Sequence, residues 1–308
     1  MAVNYKGALY LSAAASIWGG MYVTSKYALD LIPPFTLLFI RYFLASLVLV
    51  LWCRRSQVEI IPREDKWTLF QMGLFGNFLS IAAQFIGTKF SSAHMGAVIT
   101  TLAPVFQSGF AILLLRERIT RKQLLAMGLS LMGVLVTTGV SRISGGEAVN
   151  PGNLFFLGAA CLWGYYSVLM KKVGDRYSTL GITAWGIILA TVCTFPPALM
   201  ERSLWDWADL RKPWVLFSIS YLAFISTALA YYCWNKGLTL TNPHQGGMFF
   251  FLQAIVGSIL GYLILGERMS LSFFLGSLLI LLGVYLVMDF EHSKGKKKGN
   301  HHRLMPRI

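Results

Sequence analysis

The chain has 308 residues, of which 56% are hydrophobic and 13% charged, and it carries a net charge of +14. This balance excludes an ordinary water-soluble domain. The few charges fall between apolar stretches of about 17 to 25 residues, the length that crosses roughly 30 Å of hydrocarbon as a helix. So little chain lies outside these stretches that a soluble catalytic domain is excluded too, and any function lies between helices.

In chain order the apolar runs predict ten helices, at residues 7 to 29, 34 to 53, 67 to 88, 92 to 115, 121 to 140, 152 to 171, 178 to 200, 213 to 236, 243 to 265 and 270 to 288. The first, with Lys6 ahead of it and Ala13, Ala14, Ala15 and Ser16 inside, has the outline of a signal peptide. Nine further spans and an echo of this segment at residue 152 predict that it stays as a helix. On it, Trp18 and Tyr22 share one face, and Lys26 stands one turn before Asp30.

The second helix carries Arg41 two turns inside, the costliest residue in the membrane. It has two readings. Its planar fork suits the carboxylate of an amino-acid-like or organic-acid substrate; alternatively it binds carbonyls structurally while Lys26 pairs with Asp30. The third helix sets Asn77, Ser80 and Gln84 on one stripe, and the fourth does the same with Thr100, Pro104 and Gln107. Pro104 leaves the Thr100 carbonyl without its helical donor. Asn77, Gln84 and Gln107 either line a cavity or bond one helix to the next, at about 1 kcal/mol per contact.

Further along, Trp163 and Tyr166 share a face of the sixth helix, and Tyr231 and Trp234 share one on the eighth. With Trp18 and Tyr22 they form either an aromatic cavity wall or plain packing. A wall would favour amphipathic or ring-bearing solutes. Trp67, Trp205, Trp207 and Trp214 read as interfacial anchors. Glu117 and Glu267 follow their helices in matched positions and read as ties that fix hairpins; His94 and His244 read as caps. Gly257-x-x-x-Gly261 permits close helix approach. Cys53, Cys161, Cys193 and Cys233 lack metal spacing and read as packing residues. Without a Walker A run, HExxH, nucleophile elbow or carboxylate pair, enzyme activity has no visible residues, and no cofactor or metal is expected.

With the N-terminus inside the cell, 19 of the 27 Lys and Arg fall on that side, six of them in the tail. Both termini are therefore expected in the cytoplasm. This sidedness accounts for the basic charge without nucleic acid. The expected partners are a small-molecule substrate and the lipid bilayer, and the oligomeric state stays open.

The second half of the chain repeats the first. Trp18-Gly19 matches Trp163-Gly164, Trp67-x-Leu69-Phe70 matches Trp214-x-Leu216-Phe217, and Gly87 matches Gly237. The series continues with His94-x-Gly96 and His244-x-Gly246, Glu117-Arg118 and Glu267-Arg268, then Gly133-Val134 and Gly283-Val284. Five helices per repeat is an odd number, so the second copy enters the membrane upside down. The expected fold is an all-α membrane protein of ten transmembrane helices in two inverted five-helix repeats. Residues 1 to 144 and 145 to 290 form the repeats, and 291 to 308 a basic cytoplasmic tail. In secondary transporters such a repeat places the substrate site near the midplane, although channels are also built by duplication.

Trp18-Gly19-Gly20-Met21-Tyr22, Lys26-Tyr27-Ala28-Leu29, and Pro34-Phe35-Thr36 leading to Arg41-Tyr42 closely resemble the opening of EamA-type members of the drug/metabolite transporter superfamily. Ala103-Pro104-Val105-Phe106 with Arg116-Glu117-Arg118, echoed at Gly266-Glu267-Arg268, resembles that family's repeat ending. Arg116 stands where the family usually has Gly, and Gln253-Ala254 where its second repeat often has Pro. The resemblance implies an inner-membrane secondary transporter of small metabolites, such as amino acids or their analogues, working outward by alternating access. A facilitator or importer of other solutes, or a membrane interaction protein without transport, are the alternatives.

Overall fold

The computed structural model describes residues 5–59, 65–115, 121–137, 150–173, 176–240, 249–283 and 285–286. Glu117, His244 and the basic tail lie outside them. The described residues form helices and short connections, with no strand among them. The helices are α1 (Tyr5–Leu29), α2 (Pro34–Arg55), α3 (Lys66–Phe90), α4 (Ala93–Leu114), α5 (Arg121–Thr137), α6 (Pro151–Val173), α7 (Thr179–Met200), α8 (Pro213–Gly237), α9 (Phe250–Leu265) and α10 (Leu271–Gly283). Six of them, α2, α3, α4, α6, α7 and α8, are long and apolar enough to cross a membrane, while α9 and α10 contribute shorter apolar runs. Pro34 and Pro213 each stand at the first helical position, where the missing N–H costs nothing.

The outside of the bundle is apolar. Leu51, Leu113, Leu125, Val192, Phe217 and Leu263 are all exposed, an arrangement that water disfavours and hydrocarbon accepts. Trp67, Trp207 and Trp214 are exposed near helix ends, while Trp205 is half-buried. These features make the chain a multi-pass membrane protein.

Packing alternates between the two halves of the chain. Helix α1 packs on α8 and α9, and α6 packs on α3 and α4; α2 meets α7 and α8, and α7 meets α2 and α3. Exchanging α1 to α4 with α6 to α9 maps this set of contacts onto itself. The close approaches repeat in the same way. A Cβ on Gly19 would lie 2.9 Å from the backbone of α9 at Gln253 and Gly257, and one on Gly164 would lie 2.7 Å from the backbone nitrogen of Gln107 in α4. A Cβ on Gly87 would meet Phe156 and the Gly152 carbonyl, and one on Gly237 would meet Leu11 and the Gly7 carbonyl. Both sides of each comparison are sequence-matched, so these glycines keep equivalent helix pairs in contact. Backbone cannot retreat as a side-chain tip can. Gly19→Val is therefore expected to cost about 1–3 kcal/mol or more through overpacking, and a lowered thermal midpoint in detergent would show it.

Two further features sit at matched places. Met72–Leu79 in α3 and Tyr221–Leu229 in α8 are wound as π-helix rather than α-helix. Such segments are uncommon and frequently lie at functional sites. In α4 the chain tightens to a short 3₁₀ turn over Thr100–Leu102 just before Pro104, where the proline ring cannot accept a regular α-helical turn before it.

Candidate functional site: a central aromatic and amide cavity

One cavity lies at mid-length of the bundle, lined by Trp18, Met21 and Tyr22 of α1, Ile81 and Gln84 of α3, Thr100 of α4, Ala159, Ala160 and Trp163 of α6, Tyr231 of α8, and Phe250 and Gln253 of α9. Its empty volume is about 390 Å³, a figure that includes space open to solvent. The lining comes from matched helices: α1, α3 and α4 with α6, α8 and α9.

Trp18 is the centre of the apolar wall. Its ring lies 5.7 Å from Trp163, 5.4 Å from Tyr231, 5.1 Å from Trp234 and 6.3 Å from Phe250, centroid to centroid. Its Nε1 donates to the Ser226 carbonyl at 3.1 Å. Ser226 lies within the π-helical stretch of α8, so the irregular backbone supplies an acceptor that fixes the indole. Trp163 packs edge-on to both Trp18 and Tyr231.

The polar side is a chain of side chains. The Tyr22 hydroxyl donates to Gln84 Oε1 at 2.9 Å and lies 2.8 Å from Thr100 Oγ1, which in turn accepts from Gln253 Nε2 at 2.9 Å. The Thr100 hydroxyl also donates back to the Gly96 carbonyl at 2.7 Å. This leaves the Gln84 amide nitrogen and the Gln253 amide oxygen without a protein partner among the described residues, a donor and an acceptor at one cavity. Aromatic faces opposite a neutral amide pair suit a solute with a ring or alkyl body and a polar head.

Of the candidate residues, Trp18, Tyr22, Gln84, Trp163 and Tyr231 come together in this lining. Trp234 stands behind it, 4.5 Å from the Phe250 ring. Tyr166 fills the space over Gly76 of α3. Asn77 turns to α7, where its Nδ2 covers Gly186, and its backbone carbonyl accepts from the Tyr42 hydroxyl. Gln107 is half-buried where α4 crosses α6 at Gly164, outside the lining. Arg41 is fully buried behind Met21. Residue-by-residue reading missed Met21, Ile81, Phe250 and the two alanines as lining, because small and aliphatic residues in a membrane helix carry no polar signal. The signal that could have placed Gln253 was its polar side chain within the otherwise apolar run of α9.

The ends of α1, α3 and α9 and the starts of α4 and α6 are tied by a second polar cluster. Lys26 Nζ donates to the carbonyls of Thr88, Lys89 and Ser91 at 2.8, 3.1 and 2.6 Å, so the ammonium caps the end of α3 instead of making its bonds to Asp30. Ser91 Oγ donates to Asn153 Oδ1 at 2.6 Å. Glu267 accepts from the backbone N–H groups of Ala93 and His94 at 2.6 and 3.0 Å and pairs with His94 Nδ1 at 2.7 Å. The carboxylate thus reaches across to the unsatisfied N–H groups at the start of α4 rather than holding only its own hairpin, as a helix N-terminus favours. Burial pushes the Glu267 carboxyl up, but the hydrogen bonds from the His94 ring and from the His94 and Ala93 backbone outweigh it and hold the group below the ordinary carboxylate range. Gly266, in the left-handed conformation at φ 63°, ends α9 and allows this turn.

A multi-pass helical bundle with a cavity lined from both halves of the chain is an arrangement suited to membrane transport. The sequence pattern of the EamA-like transporter family matches residues 5–139 and again residues 150–289, and the chain belongs to that family. It is similar to an uncharacterized transporter of Archaeoglobus fulgidus, 26% identical over 295 residues, covering 94% of this chain and all of the other. It is equally similar to a probable amino-acid metabolite efflux pump of Escherichia coli K12, 26% identical, covering 92% of this chain and 95% of that protein. A solved crystal structure superposes with a TM-score of 0.67 at 18% identity, over 91% of this chain and 96% of the other, a likeness of fold. The protein is a membrane transporter, and its family marks it as that rather than an enzyme.

Proposed function

We propose that the protein is a ten-helix transporter of the cell's inner membrane, built as two inverted five-helix repeats, that exports small amino-acid-like or ring-bearing metabolites through the central cavity. The single observation that carries this reading is the cavity lining itself, an aromatic wall and an amide pair drawn from matched helices of both halves. The mapping of α1 to α4 onto α6 to α9, the paired glycine contacts and the paired π-helical stretches support the inverted repeat. Alternating access then amounts to the two halves exchanging conformations around a fixed site.

The binding residues in this reading are Trp18, Tyr22, Gln84, Trp163 and Tyr231, joined by Thr100, Phe250 and Gln253. With both termini cytoplasmic, the cluster of Lys26, His94 and Glu267 faces outward and closes that end. The outward direction is supported by the name of the Escherichia coli relative. Cells expressing the protein are expected to release preloaded labelled phenylalanine faster than control cells and to tolerate toxic aromatic amino-acid analogues. Equal release and equal sensitivity would refute export. Topology has its own check. Reporters fused after Met288 and within the loop at Ser144 are expected on opposite sides of the membrane, and signal from one side only would break the ten-helix count.

A further inference from the structure

The guanidinium of Arg41 is wholly buried, yet its surroundings answer it poorly. Nε donates to Thr227 Oγ1 at 2.8 Å, and Nη1 reaches only the thioether sulfur of Met21 at 3.4 Å. The group lies over the rings of Tyr42 and Phe85 at 5.3 and 5.1 Å, and Nη2 has no hydrogen-bond partner. No carboxylate pairs with it among the described residues. A buried cation normally has an anion or strong acceptors around it, because desolvation is otherwise uncompensated. Here Nε alone has an oxygen acceptor, and Nη1 has a sulfur, among the weakest available.

Met21 is also a cavity-lining residue. Its side chain therefore stands between Arg41 and the solute space, with its sulfur against Nη1. Thr227, the other partner, is buried four residues before the lining residue Tyr231, so Met21 is the neighbour of the guanidinium that borders the cavity. A methionine has three rotatable bonds and moves out of a gap at little cost.

We infer that Arg41 is a concealed carboxylate-reading subsite of the cavity and Met21 its displaceable plug. The inference rests on the transport reading above. The ring of the solute lies against Trp18 and Trp163, its carboxylate displaces the Met21 thioether, and Nη1 and Nη2 take the two oxygens as a fork. The solute class is thereby narrowed to carboxylates attached to a ring or comparable apolar body. In the unliganded protein the methionine gives the cation a soft, easily replaced neighbour, so the site stays selective without holding a fixed counter-ion.

The test is isothermal titration calorimetry on the purified full chain with 3-phenylpropionate, 3-phenylpropionamide and acetate. Wild type is expected to bind the acid at least about tenfold more tightly than the amide, as a charge-assisted fork contributes, with acetate weaker than both. Arg41→Gln should remove the preference for acid over amide. Because a buried Arg variant can fail to fold, Met21→Leu is the second arm; it conserves volume and removes the sulfur acceptor. It should raise the acid-over-amide affinity ratio several-fold above that of wild type. Equal affinity for acid and amide in wild type, acetate binding as tightly as the ring acid, or a Met21→Leu effect shared by acid and amide would each overturn the inference while leaving the cavity as the solute site. Absence of binding by all three probes would overturn the cavity reading together with this one.

Discussion

Trp163→Ala is expected to weaken solute binding by at least about tenfold, whereas Trp163→Phe stays near wild type. The indole at 163 closes one side of the cavity and packs edge-on to Trp18 and Tyr231. Aromatic pairing contributes about 0.5–1.5 kcal/mol beyond area burial, and the truncated wall loses contact area as well. Phenylalanine keeps a ring face; alanine keeps none. Trp18→Ala should have a larger effect on the protein itself, because Trp18 meets four other rings and holds the Ser226 carbonyl. A buried Trp→Ala change costs about 3–5 kcal/mol, so this variant should show a depressed thermal midpoint along with its loss of binding. Comparing affinity and melting for the three variants separates the two roles. If Trp163→Ala bound solute normally and only melted earlier, the indole would belong to packing and the aromatic wall would not be the binding surface.

The second large effect belongs to Glu267. Its carboxylate carries the start of α4 through two backbone N–H groups and the His94 ring. Hydrogen bonds to a charged group contribute about 1.5–3 kcal/mol each when broken in a buried setting. Glu267→Ala, which leaves those donors unanswered, is expected to destabilise the protein strongly; Glu267→Gln keeps an acceptor oxygen and should cost less. The pH dependence has a definite sign. A carboxyl held below its ordinary value of 4.5 contributes its stability above that value and loses it as the pH falls through its own lowered value. Melting of wild type against pH should therefore fall off in acid, below about 4.5, more steeply than melting of Glu267→Gln. Parallel curves for the two would remove the capping role.

Much of the fold was legible because hydrophobic length and repetition are both written in one dimension. Among the described residues a helix stands within each apolar run, six of them long and apolar enough to cross a membrane, with ends such as Pro34, Pro213 and Leu265 within a few residues of the expected ones. The glycine matches were legible as identities, but their purpose was not. That Gly19 faces α9 and Gly164 faces α4 follows from three-dimensional crossing, and no residue pattern states which helix lies opposite. Polar stripes behaved differently on the two central helices. Gln84 and Asn77 share a stripe of α3, yet Asn77 lies inside the π-helical stretch that ends at Leu79 and Gln84 in the α-helical part that follows. Widening the turn rotates one end relative to the other, so Gln84 faces the cavity while Asn77 faces Gly186. Spacing rules built on 3.6 residues per turn do not carry through such a stretch. Arg41 was visible as costly, but its depth behind Met21 depends on the rotation of α2, which a nearly all-apolar helix does not encode. Lys26 reached past Asp30 to three carbonyls because the end of α3 arrives beside it, a tertiary fact.

Flux through the purified, reconstituted protein is the most direct measurement of the central claim that this aromatic and amide cavity carries small metabolites. Liposomes containing equal amounts of wild type or Trp163→Ala are loaded with labelled phenylalanine, and solute efflux is followed over a range of internal concentrations. The expected result is saturable flux in wild type, competed by excess unlabelled phenylalanine, with the apparent affinity weakened in Trp163→Ala. No flux above empty liposomes for labelled amino acids, nucleosides or cationic drugs, or flux that Trp163→Ala leaves unchanged, would contradict it.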